Sequence, residues 1–290
     1  MSADQLNKLI ANFRKYPFDF NAKEADLRKT MDMMGKAFQV PEGVAVSEVT
    51  LGGVPAERVS AGDAGPAVLY LHGGGYVMGS PLSHRHLAGL LAAKTGGTVY
   101  TLDYRLAPEH PYPAALDDAV AAWTDLTAQG PAAIAGDSAG GGLTFALALA
   151  ARERGLPTAT CLVGISPMLT ATTDSSSYDL LAKVDPTLSR PMAEWYMQRY
   201  VGDADLRDPM ISPLYADLQG LPPVLLQCGD REVFYGDVTD MHQRLLGAGV
   251  DSSIRIWPRM FHVWHLYWPR LDEGVEGVAE VADFVVQHSA

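Results

Sequence analysis

Membrane-length apolar runs are missing from this chain, and so is any excess of positive charge. The best candidate span, residues 139–151, is glycine-rich and ends at Arg152, short of the roughly 18 residues a transmembrane helix needs. Twenty-two basic residues against 34 acidic ones leave a net charge of −12, so nucleic acid is excluded as an expected partner. Cysteine is scarce. Cys161 and Cys228 are the only two, each inside an apolar run, and they read as separate buried thiols rather than a disulfide framework. Asp4, Lys8 and Arg14 stand where a signal peptide carries unbroken apolar sequence, which makes cytoplasmic residence the expectation. There is no internal repeat and no low-complexity tract.

What is present is a globular composition: 290 residues, 48% hydrophobic, with 28 glycines and 19 prolines spread along the chain, enough for one large core with an appendage. Leu27, Met31, Met34 and Phe38 recur at helical spacing and predict amphipathic helices within residues 1–40. From Val44 the period shortens to two, predicting a pair of strands through Val59. Short apolar runs at 67–71, 98–102, 132–135, 160–165, 224–228 and 253–257 then alternate with helical stretches. That alternation predicts an α/β sheet with helices on both faces. Residues 174–210 break the pattern, with Met192, Trp195, Tyr196 and Tyr200 at helical spacing and no strand. The expected organisation is a helical cap from residues 1–40 and 174–210, over a catalytic domain formed by 41–173 and 211–290.

Chemistry enters where predicted strands end. The run 132–135 leads into Gly136-Asp137-Ser138-Ala139-Gly140 and then a helix-forming stretch, which is the strand–turn–helix context of a nucleophile elbow. The run 67–71 leads into His72-Gly73-Gly74-Gly75. A phosphate cradle is disfavoured, because neither phosphate-loop pattern follows and the chain is acidic. The expectation is an oxyanion hole from the N–H groups of Gly73, Gly74 and Ala139.

These segments, with Asp103-Tyr104-Arg105-Leu106-Ala107-Pro108-Glu109-His110, Ser166-Pro167, Ser212-Pro213-Leu214, Leu221-Pro222-Pro223 and Met260-Phe261-His262, resemble the bacterial hormone-sensitive lipase family of α/β-hydrolase esterases. The resemblance spans about residues 40–285. It implies an α/β-hydrolase fold with an eight-stranded, mostly parallel sheet, a helical cap, and hydrolysis of carboxylic esters without a cofactor or metal. It also implies a homodimer. Arg259 stands where the family often has glycine.

Ser138 is thus the expected nucleophile, followed along the chain by an acid and a histidine. Of the downstream histidines, His242 falls in a predicted helix and His288 at the C-terminus, leaving His262 and His265; the resemblance selects His262. For the acid, Asp230 and Glu232 compete after the run 224–228. Aligning Glu232-Val233-Phe234 with the family's Asp-Pro-Leu favours Glu232. His84 and His86 read as a helix-surface pair, Asp203, Asp205 and Asp208 as a solvated loop, and His72 as a brace for its turn. Trp195, Tyr196 and Trp264 are the expected substrate contacts, although the cluster Trp257, Phe261, Trp264, Tyr267 and Trp268 is equally compatible with core packing. The expected activity is a serine carboxylesterase acting on small esters of short acyl chains. A lactonase or amidase using the same residues, or a hydrolase-fold binding protein without chemistry, are the alternatives.

Overall fold

The computed structural model describes residues 3–289. Residues 1, 2 and 290, the outer ends of the expected 1–40 and 211–290 segments, lie outside the described residues. Two helices, α1 (Ala3–Lys15) and α2 (Glu24–Lys36), precede strands β1 (Ala45–Leu51), β2 (Val54–Ser60) and β3 (Ala67–Leu71). Strand and helix then alternate through α3 (Pro81–Thr95), β4 (Thr98–Leu102), α4 (Ala114–Thr127), β5 (Ala132–Asp137), α5 (Ser138–Glu153) and β6 (Leu162–Ile165). The short α6 (Ser177–Leu180) and α7 (Arg190–Tyr200) interrupt the alternation before β7 (Val224–Gly229), α8 (Tyr235–Gly247), β8 (Ser252–Trp257) and α9 (Asp272–His288).

The eight strands form one sheet in the order β1-β2-β4-β3-β5-β6-β7-β8. β2 runs antiparallel to β1 and β4, and β3 to β8 are all parallel. Burial explains the composition of the strands. β3, β5, β6 and β7 are covered on both faces and are almost wholly apolar, with Asp137 of β5 and Gln227 of β7 as their buried polar residues, as suits strands of a parallel sheet. In β3, Val68 and Tyr70 face a core shared with α3 and α9. Leu69 and Leu71 face the opposite core, shared with α4, α5 and α8.

This topology brings the C-terminal ends of β3, β5, β7 and β8 to one edge of the sheet, where loops are free to carry chemistry. The expected helical stretch of residues 140–154 is α5, which starts two residues earlier, at Ser138, because the elbow serine itself enters the first turn. The expectation of surface histidines in α3 is overturned: His84 and His86 are both buried. Helix α3 is enclosed between the sheet and α9, so its histidines must find internal partners. His86 Nε2 donates to the Leu266 carbonyl at 2.8 Å, and burial pushes its pKa down to about 4.

Candidate active site

Ser138 holds φ at +53° on the sharp turn from β5 into α5, a left-handed backbone that L-residues rarely adopt. The two flanking glycines allow the turn. A methyl group on Gly136 would strike the Gly140 carbonyl, and one on Gly140 would strike the Leu71 carbonyl of β3. The serine hydroxyl is thereby lifted above the sheet edge.

His262, in the loop after β8, meets it there. Its Nε2 lies 2.8 Å from Ser138 Oγ, and its Nδ1 lies 3.0 Å from Glu232 Oε2. Glu232 is completely buried. Its second oxygen, Oε1, accepts from Ser166 Oγ at 2.8 Å and from the Gly229 amide at 2.5 Å. Ser166 Oγ in turn accepts from the Val263 amide at 3.2 Å, linking the carboxylate to the residue after the histidine. Asp230 turns elsewhere, and its Oδ1 accepts from the Arg259 amide at 2.7 Å. Arg259 has φ +67°, which accounts for a glycine preference at that position. His265 lies outside this relay. It is buried, its Nε2 donates to Gln227 Oε1 at 2.7 Å, and burial pushes its pKa down to about 3.

Across from the serine is the loop after β3, where one expected donor is reassigned. The Gly73 amide donates to Asp137 Oδ1 at 3.1 Å, so it is committed to the interior. Gly74 and Gly75 line the cavity with Ser138 and His262. Their amides have no protein acceptor among the described residues, and the Ala139 amide is one of the unpaired first-turn donors of α5. Asp137 organises the loop from below, accepting also from Tyr70 Oη at 2.8 Å and contacting His84 Nε2 at 3.3 Å. Burial opposes its ionisation, but these partners together hold its carboxyl below the usual range. His72 braces the turn, with Nδ1 donating to the Gly73 carbonyl at 2.9 Å and the ring stacked 4.2 Å from Tyr104. Tyr104 Oη donates to the His72 carbonyl at 2.6 Å.

A cavity of about 470 Å³ opens above Ser138. Its far wall is mostly apolar and comes from two separate stretches of chain: Leu27, Met31 and Met34 from α2, and Leu188, Met192 and Tyr196 from the insertion between β6 and β7 that carries α6 and α7. Of the three expected substrate contacts, only Tyr196 lines it. Trp195 packs edge-on against Phe18 of the loop between α1 and α2 and under the guanidinium of Arg199, 3.6 Å from its ring, so it joins α7 to that loop. Trp264 is buried in a cluster with Leu6, Leu9 and Ile10 of α1, and its Nε1 donates to the Glu273 carbonyl. Both tryptophans are buried, so their large apolar area is spent on packing between elements. Of the aromatic cluster near His262, only Tyr267 reaches the cavity.

The residues absent from the sequence-based site are Gly75, Ser166 and Asp137. All three stand in or beside the motifs named above, but their roles depend on strand ends meeting across the sheet.

Residues 68–266 match the sequence profile of a family described by its alpha/beta hydrolase fold. An acetyl-hydrolase of Streptomyces hygroscopicus is 41% identical over 242 residues, which cover 82% of this chain and 81% of that protein. An ethyl acetate hydrolase of Pseudomonas putida is 34% identical over 236 residues, covering 78% and 74%. Among solved structures, an esterase from the bacterial hormone-sensitive lipase family is similar over 100% of both chains, with a TM-score of 0.95 and 35% identity. An esterase/lipase from an uncultured bacterium gives a TM-score of 0.93 at 38% identity over 99% of both chains. With that agreement of sequence and backbone along nearly its whole length, the chain belongs to the α/β-hydrolase-fold family that includes the bacterial hormone-sensitive lipase esterases.

Proposed function

We infer that this carboxylic ester hydrolase works through an acyl-enzyme on Ser138 and acts on small esters of short acyl chains. The observation that carries the reading is the unbroken relay Glu232–His262–Ser138, facing free glycine amides at the base of an apolar cavity. Ser138 Oγ attacks the ester carbonyl carbon while His262 Nε2 takes its proton, and the carbonyl oxygen becomes an alkoxide. The amides of Gly74, Gly75 and Ala139 stabilise that charge. The C–O bond to the alcohol then breaks, and His262 returns the proton to the departing oxygen. Water repeats the sequence on the acyl-enzyme, releasing the acid and restoring Ser138. Buried Glu232 orients the imidazole and stabilises its cationic form throughout.

A cavity of about 470 Å³ suits a small ligand, and the names of the acetyl-hydrolase and ethyl acetate hydrolase relatives point the same way. Acyl chains of about two to eight carbons are therefore expected to be preferred to long-chain triglycerides. No helix among the described residues is long and apolar enough to cross a membrane; cytoplasmic residence and a homodimer belong to this proposal. Three measurements test it. An organophosphonate should label Ser138 by mass spectrometry, Ser138→Ala should lower turnover by about five to six orders of magnitude, and p-nitrophenyl esters of increasing length should lose kcat/KM. Faster turnover of lactones or amides than of any ester in the panel would move the substrate class, and equal activity on emulsified long-chain lipid would remove the short-chain claim.

A further inference from the structure

The insertion that carries α6 and α7 does more than wall the cavity. Asp185, between those helices, accepts on Oδ1 from the Thr187 and Leu188 amides and from Thr187 Oγ1, each at 2.9 Å. Thr187 and Leu188 both line the cavity. The other carboxylate oxygen, Oδ2, accepts from the Val233 amide at 2.9 Å. Val233 is the residue after Glu232, and its carbonyl is taken as well, by Ser177 Oγ of α6 at 2.6 Å. Ser177 Oγ also accepts from the Gly236 amide at 3.2 Å. A side chain on Gly236 would collide with Ser175 and Ser177, so that approach of α6 to the loop is close. One residue further, Phe234 sets its ring edge-on to His262 at 5.1 Å and lies 6.1 Å from Tyr178.

Both backbone groups of Val233 are therefore bonded to side chains of the insertion. A loop that must hold a carboxylate within hydrogen-bond reach of an imidazole gains rigidity when its backbone groups have fixed partners. Resting on the reading of Glu232 as the acid, we propose that Asp185 and Ser177 are positioning residues: they clamp the loop of Glu232 to the insertion, so that the cavity wall and the relay share one support. The chemistry at each bond fits that role. A carboxylate accepts several amides at once, and charge-assisted bonds are the stronger kind. Asn at 185 would present an NH2 group either to the Val233 amide or to the Thr187 and Leu188 amides, and one side of the clamp would open. Burial pushes the Asp185 carboxyl upward while the Leu188, Thr187 and Val233 amides pull it back.

Asp185→Asn, Ser177→Ala and the double variant test the clamp, with p-nitrophenyl acetate as substrate and thermal unfolding as a check on folding. Each single change should lower kcat by about tenfold while KM stays within about twofold. The double variant should lose less than the product of the two, since both act on Val233. Ser177→Ala changes no charge, so an upfield move of the His262 Nδ1 proton resonance in NMR reports a weaker bond to Glu232 alone. A folded Ser177→Ala with unchanged kcat and an unchanged His262 Nδ1 proton resonance overturns the clamp, as does a lowered Tm with kinetics intact. If Asp185→Asn does not fold, Ser177→Ala decides. A wild type that does not hydrolyse esters, or a Ser138→Ala that does, overturns the esterase reading instead, and the His262 Nδ1 proton resonance still decides the clamp.

Discussion

The floor and the far wall of the cavity are built on opposite plans. On the floor, backbone strain and buried polar bonds fix each group. Tyr76, Ser138, Ser166, Arg259 and Val263 are the five non-glycine residues with positive φ among the described residues, and all five follow the C-terminal ends of β3, β5, β6 or β8. None lies in α1, α2, α6 or α7. The wall is instead made of flexible apolar side chains, Met31, Met34 and Met192 among them, and is tied to the body at a few points. Arg28 of α2 reaches the Val77 and Ala107 carbonyls at 2.8 Å each and Glu109 at 2.6 Å. Arg199 of α7 reaches Glu24 of α2 at 2.8 Å, which joins the two halves of the wall to each other. Strain is tolerated where chemistry needs fixed geometry, whereas unbranched, polarizable side chains adapt to varied shapes. Floor changes should therefore act on kcat, and wall changes on substrate choice.

The sharpest test of that contrast is Glu232→Gln, which keeps the shape and removes the charge beside His262. It should lower kcat by about 10⁴-fold, the loss recorded for the equivalent change in a serine protease, while Asp230→Asn should leave kcat within a few-fold. A reversed ranking in steady-state kinetics would mean that Asp230 is the acid.

Gly75→Ala comes next. At φ +64°, its methyl group would strike the Tyr196 ring, disturbing both a proposed alkoxide donor and the wall above it. A fall in kcat of about 10²-fold on p-nitrophenyl acetate is expected, within the range for loss of one oxyanion donor. Comparable activity to wild type would show that the donors lie elsewhere.

Met192→Ala should break the contrast from the other side. Removing wall volume should leave acetate turnover nearly unchanged and raise kcat/KM for octanoate by about tenfold, in line with pocket methylenes. Equal changes for both esters, measured across the chain-length panel, would place Met192 with the floor.

The smallest effect concerns acid stability. His265 is neutral in the fold, with its pKa lowered from 6.5 to about 3 by burial. Between those values the unfolded chain binds a proton that the folded one does not, so stability falls as pH drops through this window. Asp237, raised to about 7 by burial, works in the opposite sense. His265→Gln should therefore flatten the loss in urea unfolding between pH 6.5 and 3 by at most about 1.4 kcal/mol per pH unit. An unchanged slope would mean that His265 is not neutral when folded.

How much of this was legible in the sequence follows from the range over which each feature is decided. β3 and β4 span the same residues as the expected runs, since five-residue runs of apolar and β-branched residues between turn signals leave few alternatives. The elbow is equally local, because Gly136 and Gly140 answer to crowding within a few residues and one neighbouring strand. The Arg259 departure from the family pattern is also explained locally, by its positive φ.

Other features needed contacts that no window of sequence contains. His84 and His86 carry the spacing of a helix surface, and only the docking of α9 over α3 buries them. Gly73 and Gly75 are interchangeable as letters in one motif, yet Asp137 takes the amide of the first and the cavity exposes the third. Trp195, Tyr196 and Trp264 are all large aromatics near the site, and the direction of each depends on which helix packs behind it. By itself, the sequence determined the alternation of strands and helices, the strained serine and the glycine loop, because periodicity and turn chemistry act between near neighbours. Only the tertiary structure decided which amide faces the cavity, that Glu232 rather than Asp230 reaches His262, and that Asp185 meets Val233 across 48 residues, because side-chain direction is set by packing between elements distant in the chain.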